Sequence, residues 1–191
     1  KGDFPWLEPK WVNAADWLGK PSVSPTGQRV VFEARGEIVN VPVKKGDARN
    51  LTNLPGSREH DPSWSPDGKS IAWFSDASGE YSLMIGQPDG LSAPREIKIP
   101  HPTFYYAPVW SPDSKWLAYT DHIQQLWMTE IASGKTTLVD KDAFLHPERT
   151  INPVWSPDSK WIAYAKRLPS QFHVIMAFEV AKAKGLQLTD G

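Results

Sequence analysis

The chain of 191 residues contains no cysteine. This absence excludes disulfide bonds, catalysis by a thiolate and zinc sites built from cysteine ligands. It does not identify the compartment, because many periplasmic proteins also lack cysteine. The fold must therefore be stable without disulfide bonds.

An excess of charge of one sign is missing as well, since 21 lysine and arginine residues face 22 aspartate and glutamate residues. Without a broad basic field, neither nucleic acid nor an anionic membrane is an expected partner. No apolar run approaches the length of a membrane-spanning helix, and residues 1–4 (KGDF) lack the features of a signal peptide. We expect a soluble, cytoplasmic protein, with the periplasm as the alternative.

The common sequence signatures of catalysis are not found. The chain has no Gly-x-Ser-x-Gly, no His-Glu-x-x-His, no phosphate-binding loop and no Gly-x-Gly-x-x-Gly. Its five histidines are scattered along the chain rather than spaced as metal ligands. We therefore expect no catalytic residue, no metal site and no cofactor.

What the sequence does contain is a turn motif that occurs four times. The copies are Ser-Pro-Thr-Gly, Ser-Pro-Asp-Gly and two of Ser-Pro-Asp-Ser; they begin at Ser24, Ser65, Ser111 and Ser156, so they are 41, 46 and 45 residues apart. Proline at the first central position and aspartate at the second favour a tight turn, so a structural role explains the aspartates better than a ring of catalytic carboxylates. A repeat of this length built from short strands indicates propeller blades.

Each repeat contains four segments with strand character, which predicts an all-β propeller of four four-stranded antiparallel blades. The expected blades span about 21–53, 54–100, 101–142 and 143–191, after a separate N-terminal segment over 1–20 that includes a short helix capped by Asn13. The last residues of the fourth repeat resemble the end of the first, and four blades lie at the lower limit for a closed ring. We expect a partial propeller, a fragment whose open blade faces permit self-association.

Large and small side chains alternate along the second strand of each repeat. The larger positions are Val30, Ile71, Leu117 and Ile162, followed two residues later by Phe32, Trp73, Tyr119 and Tyr164. The positions between them are mostly alanine, which suits a face that a neighbouring sheet approaches closely. Trp64, Trp110 and Trp155 recur in the first strands and are predicted to pack between blades.

Two connectors between blades are richer in side chains than turns require. They contain the candidate peptide-channel residues, which are Phe104, Tyr105, Tyr106, His146 and Arg149. In a propeller these connectors lie near one mouth of the central channel, where such side chains are suited to contacts with a peptide. The alternative is that the three aromatic residues cover the core.

The motif Pro-x-Trp-Ser-Pro-Asp-(Gly/Ser)-Lys, which starts at Pro62, Pro108 and Pro153, resembles the TolB-type propeller repeat. Longer stretches resemble the bacterial tricorn proteases: 32–38 (FEARGEI), 45–53 (KGDARNLTN), 74–81 (FSDASGEY) and 146–149 (HPER). The first repeat departs from the pattern, with Val23 in place of tryptophan and Thr26 in place of aspartate.

The tricorn resemblance implies the first four blades of a seven-bladed propeller within a longer serine peptidase. In that family the propellers are thought to guide peptides to and from a sequestered active site, and the catalytic residues lie in later domains. The partners it implies are peptides and the rest of the same polypeptide. Two alternatives stay open: a freestanding TolB-type scaffold that binds a protein partner, and the propeller of a prolyl oligopeptidase type enzyme.

Overall fold

The computed structural model describes residues 13, 15–101, 103–143 and 151–190. Before the first sheet, Ala15–Trp17 form one turn of 3₁₀ helix, and the backbone N–H of Ala15 donates to Asn13 Oδ1 at 3.1 Å. This agrees with the capping role predicted for Asn13. No helix among the described residues is long and apolar enough to cross a membrane.

In the part of the chain that the structure describes, sixteen strands form four sheets of four, and each sheet is an antiparallel meander in chain order. Blade 1 consists of β1 (Ser22–Val23), β2 (Arg29–Ala34), β3 (Glu37–Pro42) and β4 (Arg49–Asn50). Blade 2 consists of β5 (Glu59–Trp64), β6 (Ile71–Ser75), β7 (Ser82–Gly86) and β8 (Arg95–Ile97). Blade 3 consists of β9 (Tyr105–Trp110), β10 (Trp116–Asp121), β11 (Gln125–Glu130) and β12 (Thr136–Lys141), and blade 4 of β13 (Val154–Trp155), β14 (Trp161–Arg167), β15 (His173–Glu179) and β16 (Lys184–Gln187).

The predicted fold class is confirmed: the protein is a partial β-propeller with four four-stranded antiparallel blades. Three apolar clusters join blade 1 to blade 2, blade 2 to blade 3, and blade 3 to blade 4. Within the described ranges, no cluster joins blade 4 back to blade 1, so the array is open. Exposed apolar residues lie on both outer blades, Val23 on blade 1 and Val154 and Leu186 on blade 4. Self-association through these blades stays a prediction.

Side chains on the second strands point alternately to the preceding and the following blade. In blade 2, Ile71 and Trp73 belong to the cluster shared with blade 1, whereas Ala72 and Phe74 belong to the cluster shared with blade 3. The predicted alternation of large and small faces therefore explains how blades nest. Blade 1 differs, because its inward position is Val31, while Val30 and Phe32 lie on the face that lacks a neighbour and are only half-buried.

The predicted tryptophans lie between blades. The indole Nε1–H of Trp110 donates to the carbonyl of Ser63 at 3.1 Å, and that of Trp155 donates to Val109 at 3.0 Å. Both acceptors belong to the first strand of the preceding blade. Trp64 is also buried, but its Nε1 has no hydrogen-bond partner among the described residues.

The repeated turns share one hydrogen-bond pattern. In blade 3, Ser111 Oγ donates to Asp113 Oδ1 at 2.6 Å and accepts the backbone N–H of Trp116 at 2.9 Å, while Asp113 Oδ1 accepts the N–H of Lys115 at 3.1 Å. Blades 2 and 4 repeat all three bonds. The predicted turn role of these aspartates is thus supported by geometry.

The last residue of the repeated turn is serine in blades 3 and 4, where blades 1 and 2 have glycine, and the hydroxyl of this serine has a structural role. Ser114 and Ser159 adopt positive φ values of 60° and 61°, a conformation that normally favours glycine. The hydroxyl of Ser114 accepts the backbone N–H of Asp67 in the blade before it at 3.0 Å, and Ser159 does the same for Asp113. Gly68 in blade 2 has no hydroxyl to offer blade 1.

Because the strands alternate in direction, the first and third loops of every blade lie on one face, and the second loops and the connectors between blades lie on the other. We call the first the turn face and the second the cleft face.

Candidate functional site

The site with the richest chemistry lies on the cleft face, where blades 1, 2 and 3 meet. A cavity of about 380 Å³, here called the mixed-charge cleft, is lined by Lys20, Glu33, Arg58, His60, Asp61, Tyr81, Phe104 and Tyr106. A second cavity of about 450 Å³, the acidic cleft, is lined by Asp76, Gly79, Glu80, Tyr81, Thr103, Phe104 and His122. Both have the volume of small-ligand pockets.

The two clefts adjoin at one aromatic pair. The rings of Tyr81 and Phe104 lie 5.3 Å apart, centroid to centroid, and both residues line both cavities. Phe104 is half exposed although it is wholly apolar. The clefts therefore form a single groove with an aromatic ridge at its middle.

A repeated irregularity of the first strands positions the floor of the mixed-charge cleft. Asp61 and Ala107 occupy equivalent places in blades 2 and 3, each directly before a proline, and have φ values of 52° and 51°. Left-handed backbone at a non-glycine residue costs of order 1–3 kcal/mol and is concentrated at functional sites. Both strands shift register here, and the N–H of Ala107 donates to Asp61 Oδ2 at 3.0 Å.

His60 lies beside this carboxylate. Its side chain is 8% exposed, and its Nδ1 is 3.7 Å from Asp61 Oδ2. The imidazole is held among aromatic rings, edge-on to Tyr81 at 5.0 Å and tilted against Phe74 at 5.6 Å. Its orientation is thus fixed by packing on one side and by a charge on the other.

Asp61 is held in its ionised form. Burial acts to raise the pKa of this carboxyl, but His60, the backbone N–H of Ala107 and the charge of Lys20 outweigh it and lower the pKa below 3.8. The other ion pair of the cleft is more exposed to solvent: the guanidinium of Arg58 lies 4.0 Å from the carboxylate of Glu33, and the Arg58 side chain is largely in solvent. The cleft therefore offers both signs of charge beside an aromatic wall.

The acidic cleft is lined by carboxylates, and neither lysine nor arginine is among its described lining residues. Its only charged lining residues among those described are Asp76 and Glu80, and neither forms an ion pair with a described residue. Asp76 Oδ1 accepts the backbone N–H of Arg58 at 2.7 Å. Burial, and next the charge of Asp76, raise the pKa of the Tyr81 phenol, so this ring stays protonated at neutral pH.

The candidate channel residues lie in different environments. Phe104 and Tyr106 line the mixed-charge cleft together. Tyr105 does not, because its side chain is fully buried, stacks on Phe74 at 5.7 Å and donates its hydroxyl proton to the carbonyl of His101. It is a core residue, in line with the alternative that these aromatics cover the core. His146 and Arg149 lie outside the described residues.

Sequence reasoning missed most of the groove, namely Lys20, Glu33, Arg58, His60, Asp61, Asp76, Glu80 and Tyr81. One signal was available: the residue before the repeated proline is Lys20, Asp61, Ala107 or Asn152, so this position varies where its neighbours repeat. Within the described residues, no group of three or more His, Asp or Glu side chains is arranged to hold a metal ion.

One further cavity, of about 470 Å³, lies on the turn face of blade 1 alone. Its lining comes from the start of β2 and the loop before it, and from the end of β3 and the loop after it, which includes Lys44 and Lys45. It contains no aromatic residue and no contribution from a second blade. It is therefore a useful reference surface for binding experiments.

No family model matches the chain. Over 135 residues it is 28% identical to tricorn protease homolog 1 of Streptomyces coelicolor, an alignment that covers 68% of this chain and 13% of that protein. A putative TolB from Agrobacterium tumefaciens superposes with a TM-score of 0.67 at 21% identity, over 91% of this chain and 62% of that chain. The tricorn protease structure gives a TM-score of 0.76 at 15% identity, over 91% of this chain and 17% of that chain.

The chain thus spans a small part of the length of its curated relative. The structural matches establish the architecture, and the sequence match relates the chain to one tricorn protease homolog. The protein is made of four blades of a β-propeller whose fold is similar to the propellers of TolB and of the tricorn protease.

Proposed function

We propose that the chain is a non-catalytic propeller portion of a tricorn-like serine peptidase and that its cleft face guides or gates peptides. The observation that supports this best is the groove itself, in which three successive blades contribute aromatic and charged side chains. Exposed aromatic groups beside charges of both signs suit contacts with polypeptide, which has apolar side chains, charged side chains and polar backbone. The turn face has no comparable arrangement among its described residues.

The similarity to a tricorn protease homolog supports a peptide rather than another ligand. Guidance requires contacts that are individually weak and easily reversed, because a conduit that bound tightly would retain its cargo. An open groove with half-exposed rings satisfies this requirement better than a closed pocket does. The groove residues touch no substrate bond in this proposal, so they act in binding and positioning only.

Peptide titration of the 191-residue chain tests the proposal. We expect the fluorescence anisotropy of labelled, unstructured peptides to rise as they bind the chain. Phe104→Ala or Tyr106→Ala should weaken binding about tenfold, because each removes a contact that contributes more than 1 kcal/mol. Lys45→Ala, on the turn face, is the matched control and should bind like the parent chain. Circular dichroism should confirm that all three variants fold.

Two results would contradict peptide guidance. The first is the absence of any peptide binding at millimolar concentration, and the second is an equal loss of binding in the Lys45→Ala control. Either would indicate that the groove is an ordinary surface between blades.

A further inference from the structure

The groove is not uniform in charge, and this difference bears on which side chains it accepts. The mixed-charge cleft has two cationic groups, Lys20 and Arg58, and two anionic groups, Glu33 and Asp61. The acidic cleft, beyond the aromatic pair, is lined by two carboxylates and no described cationic residue. The two halves therefore present different electrostatic environments to one extended ligand.

The acidic cleft has two independent attractions for a cation. Asp76 and Glu80 provide negative charge, and the faces of Tyr81 and Phe104 favour a cation through their ring quadrupoles. A guanidinium or ammonium group on a long apolar stem satisfies both, because its stem packs on the ring while its charge reaches a carboxylate. His122 lines the same cleft, where its Nδ1 is hydrogen-bonded to Thr103 Oγ1.

The mixed-charge cleft supplies an acceptor for the backbone of such a ligand. The ionised Asp61 on the Nδ1 side of His60 favours the tautomer that has its proton on Nδ1, which leaves Nε2 as an acceptor. Nε2 has no hydrogen-bond partner among the described residues, although the side chain that bears it is more than nine-tenths buried and lines the cleft. An unpaired acceptor on a ring that packing holds in place at the cleft wall is suited to a backbone N–H of a bound chain.

From these observations we infer that the groove selects extended peptide segments that contain a basic residue. The arginine or lysine side chain enters the acidic cleft, stacks on the Tyr81 and Phe104 rings and faces Glu80. The adjacent peptide backbone crosses the aromatic ridge toward Nε2 of His60. This inference rests on the proposed peptide function and specifies the class of peptide.

The test compares two labelled pentapeptides that differ only in charge. Each peptide has four alanine residues around one central residue, which is arginine in one peptide and its neutral isostere citrulline in the other. The readout is the ratio of their dissociation constants, measured by fluorescence anisotropy with the 191-residue chain at low ionic strength. We expect the arginine peptide to bind about tenfold tighter, as one desolvated charge contact allows.

A matched pair of variants locates the effect. Glu80→Gln should reduce the arginine preference to less than about threefold, because it removes one of the two charges in the acidic cleft. Asp47→Asn, an exposed carboxylate on the turn face, changes the net charge equally and should leave the preference intact. Loss of the preference in both variants would overturn the inference, because it would show a non-specific charge effect.

The outcomes also separate this inference from the proposed function. Equal binding of the arginine and citrulline peptides, with binding still weakened by Phe104→Ala, overturns selection of basic residues and leaves peptide binding in place. Failure of both peptides, and of other sequences, to bind overturns both. A preference that survives Glu80→Gln unchanged places recognition outside the acidic cleft and also overturns the inference.

Discussion

The turn face and the cleft face of this protein are built in contrasting ways. On the turn face, Ser65, Ser111 and Ser156 make the same hydrogen bonds in three successive blades. On the cleft face, equivalent positions hold different residues, such as Asp61 in blade 2 and Ala107 in blade 3. Uniform chemistry on one face and varied chemistry on the other indicate that the first maintains the fold and the second is available for recognition.

Substitutions should reveal this contrast most strongly at the tryptophans next to the turn face. Trp110→Ala removes a 7% exposed indole and its hydrogen bond to blade 2, so we expect the free energy of unfolding to fall by about 3–5 kcal/mol. Urea denaturation measures this value. Phe172→Ala, at a side chain that is 61% exposed, is the control and should change it by less than about 0.5 kcal/mol. A loss below about 1 kcal/mol for Trp110→Ala would contradict its role between blades.

A smaller effect is expected from a turn serine. Ser111→Ala removes a fully buried hydroxyl, so the backbone N–H of Trp116 and the carboxylate of Asp113 each lose a part-buried hydrogen bond, which should cost about 1–3 kcal/mol. Ser133→Ala, an exposed serine bonded to Glu130, is the comparison in the same denaturation assay. If the two substitutions cost the same, the repeated turn bonds contribute little to stability.

The smallest effect concerns pH, where Glu59 on the cleft face and Asp113 on the turn face should contribute with opposite signs. Burial raises the pKa of Glu59, at the cleft-face end of β5, above 4.5 despite hydrogen bonds from Ser57 and Ser75. In the turn, burial acts to raise the pKa of Asp113, but the hydrogen bond from Ser111 and that from the N–H of Lys115 outweigh it, so the pKa lies below 3.8.

These directions predict opposite pH dependences. The stability that Asp113 contributes is present above pH 3.8 and is lost as the pH falls through the lower pKa of the folded state. Glu59 acts in the opposite direction: stability decreases as the pH rises from 4.5 through the raised pKa of this group in the folded state. Glu59→Gln should remove the decrease on the alkaline side, and Asp113→Asn should weaken the fall on the acid side. Melting temperatures measured as a function of pH test both expectations. If the profile of Glu59→Gln runs parallel to that of the parent protein, Glu59 does not titrate in this pH range.

The same contrast explains what could be predicted from the sequence. The turns, the alternation of Ile71 with Ala72 and the placement of Trp110 and Trp155 all follow from local patterns that recur in each repeat. Tyr105 was harder to place, because it is one of three consecutive aromatic residues just before the register shift at Ala107, and sequence does not show which of them points inward. The groove combines residues from three blades, so no local pattern contains it.

The junctions between blades also differ, and this has a mechanical consequence. Blades 2, 3 and 4 are linked near their inner strands by the indole bonds of Trp110 and Trp155 and by the hydroxyl bonds of Ser114 and Ser159. At the first junction Gly68 provides no hydroxyl and Trp64 Nε1 has no partner in the described residues, so a different bond joins the inner strands: the backbone N–H of Trp64 donates to Ser22 Oγ at 3.0 Å. Farther out, Asn40 bonds the carbonyl of Pro88 and Arg49 that of Asp89. Near the axis, the first junction therefore depends on a bond that the described residues of the other blades do not repeat. A substitution at Ser22, Asn40 or Arg49 would loosen blade 1, and with it one wall of the groove, without disturbing the repeated bonds that join blades 2 to 4.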